Sequence, residues 1–132
     1  MISLDDFEQN HELIERGKKL AKELSELVKD TYPNKCIQFI AILRGSNGAW
    51  CQQRISEVLM FKINELLQEG NSGKKLFIPD ECREMIEDLY TLIKENYNDK
   101  PETLREYVSV LSDADGCYEF MNYLGYIGLQ VE

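Results

Sequence analysis

Apolar residues recur at Leu4, Phe7, Leu13, Ile14, Leu20, Leu24, Leu27 and Val28. This spacing is a broad helical stripe. Ser3 followed by Asp6 resembles a capping box, and Asp5, Asp6 and Glu8 suit the positive end of a helix dipole. Gly17 interrupts the stripe, which calls for close packing or a kink. The helix is expected to end near Asp30, because Tyr32 precedes Pro33 and is biased away from helical backbone.

The next segment, residues 35–44, is apolar almost without a break: Ile37, Phe39, Ile40, Ile42 and Leu43. Such a run fits a buried helix started by Pro33, or a buried strand. Helix is preferred, because the only strand partners in sight are residues 74–78 and 107–111. One short strand or hairpin from residues 35–43 and 74–78 stays open as the alternative.

The stretch Gly45–Gly48 breaks the pattern. A helix is then predicted from about Ala49 to Glu69, burying Ile55, Val58, Leu59, Ile63, Leu66 and Leu67, with Gly70 as its stop. The stretch Gly70–Gly73 reads as the most flexible connection. Pro79 begins another helix, with Asp80, Glu81 and Glu84 in its first turns. Its buried stripe is Cys82, Met85, Ile86, Leu89 and Ile93. Glu84, Asp88, Thr91 and Glu95 share the opposite face, and Glu87, Tyr90, Lys94 and Tyr97 lie along a flank. After a turn at 98–101, a helix over 102–112 buries Leu104, Val108 and Leu111. The stretch Asp113–Gly116 breaks it. A last helix from about Cys117 buries Phe120, Met121 and Leu124 and leaves Glu119, Tyr123 and Tyr126 on one flank. The pattern therefore predicts a mainly α fold, a compact bundle of five or six helices. At 132 residues it is expected to be a single globular domain, 1–132.

Charge changes the picture. The net charge is −9. Residues 1–79 hold 11 acids and 11 bases, whereas residues 80–132 hold 13 acids against Arg83, Lys94, Lys100 and Arg105. Six of the 7 tyrosines also follow residue 80. Acid steers a basic partner and tyrosine anchors contacts, so this half is expected to be a protein-binding surface. Glu84, Glu87, Asp88 and Glu95 are its candidate charges. Tyr90, Tyr97, Tyr123 and Tyr126 are its candidate anchors. The same charge disfavours direct binding to nucleic acid, which depends on Lys and Arg displacing counterions.

Specific chemistry finds little support. Asp113 and Asp115 before Gly116 invite a calcium reading, but Leu111 and Asn122 would occupy two essential ligand positions. The Gly45–Gly48 loop has the spacing of a phosphate clamp, with only Arg44 and Arg54 as nearby bases. His11 is the only histidine, and Glu8 with His11 supplies one half of a dinuclear carboxylate motif that has no second half. Cys36, Cys51, Cys82 and Cys117 fit no zinc spacing and are expected to be reduced thiols, which points to the cytoplasm. The acidic start of the chain is unlike a secretory leader, and no apolar run is long enough for a bilayer. No enzyme activity, metal or cofactor is expected. Trp50, the sole tryptophan, is expected to pack as core or as a helix staple, with partner anchor as the alternative.

In character the chain is similar to small acidic immunity proteins, antitoxins and anti-defence proteins, although it carries no family motif. The expected function is thus an inhibitor that neutralises a basic partner such as a nuclease. The alternative is a helical adaptor or regulatory subunit that binds through an apolar groove, with Trp50 as the candidate centre of the exposed patch. Whether the protein is a monomer or a dimer is left open by the pattern.

Overall fold

The computed structural model describes the backbone of residues 4–68 and 76–130, and side chains from residue 11 onward within those ranges. Six α-helices account for most of it: α1 (Leu4–Thr31), α2 (Cys36–Arg44), α3 (Gly48–Leu67), α4 (Asp80–Tyr97), α5 (Pro101–Ser112) and α6 (Ala114–Tyr123). A 3-10 turn, Pro33–Lys35, leads into α2, and a π-helical turn, Leu124–Gly128, continues α6. No strand occurs among the described residues.

Residues 36–44 are helical, so the strand or hairpin alternative for 35–43 is corrected. Of its proposed partner, residues 74 and 75 lie outside the described residues, and 76–78 have no regular structure. The continuous apolar run misleads because α2 is covered on one side only. Cys36, Phe39 and Leu43 are buried, whereas Ile37 stands 76% exposed.

Helix α1 is the spine, packed mainly on α6 and also touching α4 and α5. Helix α3 packs against α2, α4 and α5. One continuous core draws on all six helices, with Leu24, Phe39, Ile55, Leu59, Ile86, Leu89, Tyr107 and Phe120 fully buried. Burial of this kind is the main stabilising term, at about 25 cal/mol per Å² of apolar surface.

Small residues set the α1–α6 distance. A Cβ on Gly17 would lie 2.7 Å from the carbonyl oxygen of Gly116, and a Cβ on Gly128 would lie 2.8 Å from Ser25. Gly17, Ala21 and Ser25 are spaced four residues apart, so they share one face of α1. The two contacts advance together along both helices, so α1 and α6 run parallel. Gly17 serves close packing, one of the two roles its position suggests.

Helix ends follow local chemistry. Asp113 caps α6: its side chain accepts the Gly116 N–H at 2.8 Å. The break after α5 is therefore a single residue, and α6 starts at Ala114 rather than Cys117. Helix α3 ends at Leu67, earlier than expected. Gln68 adopts the left-handed conformation (φ 59°) and its N–H meets the carbonyls of Asn64 and Glu65. The stretch Gly70–Gly73 lies outside the described residues, as do the side chains of Leu4 and Phe7.

Candidate functional site

The eight residues expected to bind a partner fall into two groups. Glu84, Glu87, Asp88, Tyr90, Glu95 and Tyr97 lie on α4. Tyr123 closes α6, and Tyr126 is on the π-helical turn. Helices α4 and α6 share two neighbours, α1 and α5.

Half of the α4 acid face is engaged inside the protein. The Lys35 ammonium lies 2.7 Å from Asp88 Oδ2 and 3.0 Å from Glu84 Oε1. Glu84 also accepts from the Gln38 amide at 3.1 Å. The bonds from Lys35 and Gln38 hold the Glu84 carboxyl below its usual range, and those to Asp88 and Glu84 raise the Lys35 ammonium. These contacts tether α4 to the start of α2. Glu87 and Glu95 remain exposed.

The α4 tyrosines are half-buried. The Tyr97 ring packs 5.9 Å from that of Tyr107, which in turn meets Phe120 edge-on at 6.1 Å. Tyr90 lies beneath the Lys62 ammonium at 5.0 Å. Burial pushes both phenols above their usual value. These rings support the core as much as they face a partner.

The second group opens outward. Tyr118, Glu119, Asn122, Tyr123, Tyr126, Ile127 and Lys18 line a concavity of about 390 Å³ on the α1–α6 side. Tyr118 is 61% exposed, Ile127 60% and Tyr126 54%. The Arg44 guanidinium sits 4.0 Å from the Tyr126 ring centre, a stacking contact that holds the ring in place. Gly125 brings this turn against Leu43 and Arg44. Glu119, Tyr123 and Tyr126 thus share a flank, as their spacing predicts. Tyr118 and Ile127 were not among the expected anchors. Their signal in the sequence is weak: each is one position outside the periodic flank.

A second, more open groove of about 520 Å³ runs between α3 and the α5–α6 corner. Gln52, Ser56, Leu111, Cys117 and Met121 line it, and Tyr118 stands at the edge of both concavities. Burial pushes the Cys117 thiol up, and a bond from Ser56 opposes this. Trp50 is 42% exposed, so of its two expected places, core or helix staple, the core is corrected. Its neighbour Cys51 takes the buried position instead, because α3 begins at Gly48 and turns that side of the first turn inward.

Among the described residues no group of three His, Cys, Asp or Glu side chains is placed to hold a metal ion, and His11 is exposed. Among the described residues no helix is long and apolar enough to cross a membrane. Comparison with protein-family models, curated proteins and solved structures finds no match.

Proposed function

We propose that this protein binds and neutralises a basic protein partner, such as a nuclease, and that the shelf formed by Tyr118, Tyr123, Tyr126 and Ile127 is the centre of the interface. The observation that carries this reading is the shelf itself. Three large, exposed side chains border one concavity, and tyrosine in such a place gives contact area at little entropic cost. Large apolar side chains gathered in this way mark interaction sites more often than scattered ones do. The partner's sign comes from charge: the excess of acid lies wholly in residues 80–132. Glu119 adds a carboxylate to the shelf, and Glu87 and Glu95 add long-range attraction from α4.

The test uses the purified protein as bait in nuclease-treated extract, washed at low and then high salt. Tyr118→Ala with Tyr126→Ala should abolish capture of a basic partner at low salt. Glu87→Lys with Glu95→Lys should slow association several-fold without weakening the fold. A basic partner held equally well by both variants would refute the reading.

A second reading is an adaptor that uses the apolar groove between α3 and α6. The exposed Trp50 and the groove lining of Leu111, Cys117 and Met121 favour it. It requires capture that survives high salt and fails with Trp50→Ala.

A further inference from the structure

The concavity beside α6 has the size and the lining for one kind of side chain. Its volume, about 390 Å³, lies at the small end of the range of about 300–1,000 Å³ in which ligand sites fall. It therefore suits a single long side chain rather than a whole helix. Glu119, Asn122, Tyr123 and Tyr126 follow i, i+3, i+4 and i+7, so they share the face that borders it. Tyr118 stands one turn before Asn122 and closes the other edge.

The turn after α6 widens this face. The Leu129 N–H bonds to the Leu124 carbonyl at 3.2 Å, the i→i+5 bond of a π turn. Tyr126 and Ile127 are both exposed there, while Leu124, Gly125 and Gly128 are buried. Single π turns of this kind are frequent at functional sites.

Two polar side chains on the face have nothing to bind within the fold. Glu119 and Asn122 are half-buried, and among the described residues neither side chain makes a hydrogen bond or an ion pair. Lys18, which also borders the concavity, has its ammonium 3.8 Å from Glu15 instead. Glu119 is thus a carboxylate set between tyrosine rings without a cation of its own.

We propose that this concavity is a receptor for an arginine side chain of the partner, an assignment that rests on reading the shelf as the interface. Its guanidinium stacks on the Tyr118 and Tyr123 rings, and its N–H groups donate to the Glu119 carboxylate and the Asn122 carbonyl. Arginine fits better than lysine because its planar cation can lie on a ring and still donate in plane, and it is more weakly hydrated. The same turn already holds one such pair, Arg44 on Tyr126 at 4.0 Å. That guanidinium repels a second cation on the same ring, which leaves Tyr118 and Tyr123 for the incoming one.

The test titrates the isotope-labelled full chain with the capped peptide acetyl-Gly-Arg-Gly-amide at low salt and reads amide and tyrosine-ring NMR shifts. The expected result is saturable shifts centred on residues 118–127. The same peptide with citrulline, a neutral isostere of arginine, should bind about ten-fold more weakly, as should the arginine peptide to Glu119→Gln, because the hydrogen bonds lose their charge. The lysine peptide should bind several-fold more weakly than the arginine one. Equal binding of citrulline or lysine would overturn the proposal. So would shifts centred on Glu87 and Glu95, or no saturable shift at tens of millimolar peptide. The citrulline and lysine arms use the unaltered chain, so they do not depend on how Glu119→Gln folds. If the peptide binds as expected but capture of a basic partner ignores Tyr118→Ala with Tyr126→Ala, the functional reading fails and the arginine site stands. If capture depends on the shelf and the peptide does not bind, the arginine assignment alone fails.

Discussion

Replacing Gly17 by alanine sets two effects against each other. In an unconstrained helix the change stabilises by about 1 kcal/mol, because alanine loses less backbone freedom. In this fold the new Cβ meets the Gly116 carbonyl oxygen at 2.7 Å and Val110 Cγ1 at 3.4 Å. Carbon–oxygen contacts of this type rest at about 3.3–3.6 Å, so α6 has to retreat by roughly half an ångström or more. Gly116 is backbone in the first turn of α6 and cannot rotate away. Val110 closes the other direction. A retreat also loosens the Ser25–Gly128 contact further along the seam. Overpacking of this size costs about 1–3 kcal/mol. The expected net effect is destabilisation by about 1 kcal/mol, a fall in melting temperature of about 3–4 °C for a domain of this size. Gly125→Ala is the control: its Cβ would lie 3.4 Å from Leu43, an ordinary contact, so stability should hold or rise. Denaturant unfolding with an unchanged m-value separates stability from altered compactness. If Gly17→Ala melts at or above the parent, the close seam is not what sets the α1–α6 distance.

Tyr107→Phe removes a fully buried hydroxyl that makes no well-formed hydrogen bond, although the Tyr97 phenol lies close to it, so stability at neutral pH should stay equal or rise by about 1 kcal/mol. Burial, chiefly, keeps this phenol protonated well above the usual value, whereas the unfolded chain ionises near pH 10. Its contribution is therefore complete below about pH 10 and is lost as pH rises from there, and the Phe variant should show a shallower alkaline decline in urea midpoints. Asp113→Ala leaves the Gly116 N–H without its acceptor and should cost about 1 kcal/mol by the same denaturation assay, with Asp113→Asn recovering most of it. Glu84→Lys with Asp88→Lys places three cations together at Lys35 and should lower the melting temperature more than Glu87→Lys with Glu95→Lys. Because Glu84 is held below its usual range, the tether is present above that range and weakens as acid protonates the carboxyl, which acid titration of the melting temperature reads directly.

Helix positions were legible where apolar spacing was clean. In α4 the five stripe residues Cys82, Met85, Ile86, Leu89 and Ile93 are all buried, because a 3.6-residue period leaves one way to cover them. The α6 start was misplaced because Gly116 looks like a break, yet here glycine is what lets the first turn touch α1. Trp50 was misplaced because size suggests core, whereas the position of Gly48 decides which side of α3 turns inward. Tyr107 is fully buried, although among acids and tyrosines its type reads as surface. The acid face of α4 was recognisable from spacing, but its pairing with Lys35 was not. That contact joins residues far apart in sequence, and charge spacing along one helix says nothing about a cation brought from another.

The α1–α6 seam also governs the order in which this chain can fold. Gly17 packs against Gly116 and Ser25 against Gly128, across most of the sequence. During synthesis α1 emerges well before α6, so the face of α1 that packs on α6 stays uncovered until the segment carrying α6 leaves the ribosome. Closing so long a loop must precede the energy it returns, which slows folding relative to a bundle of sequential hairpins. The exposed stripe of α1 is then the surface on which a chaperone, or a second nascent copy, would act first.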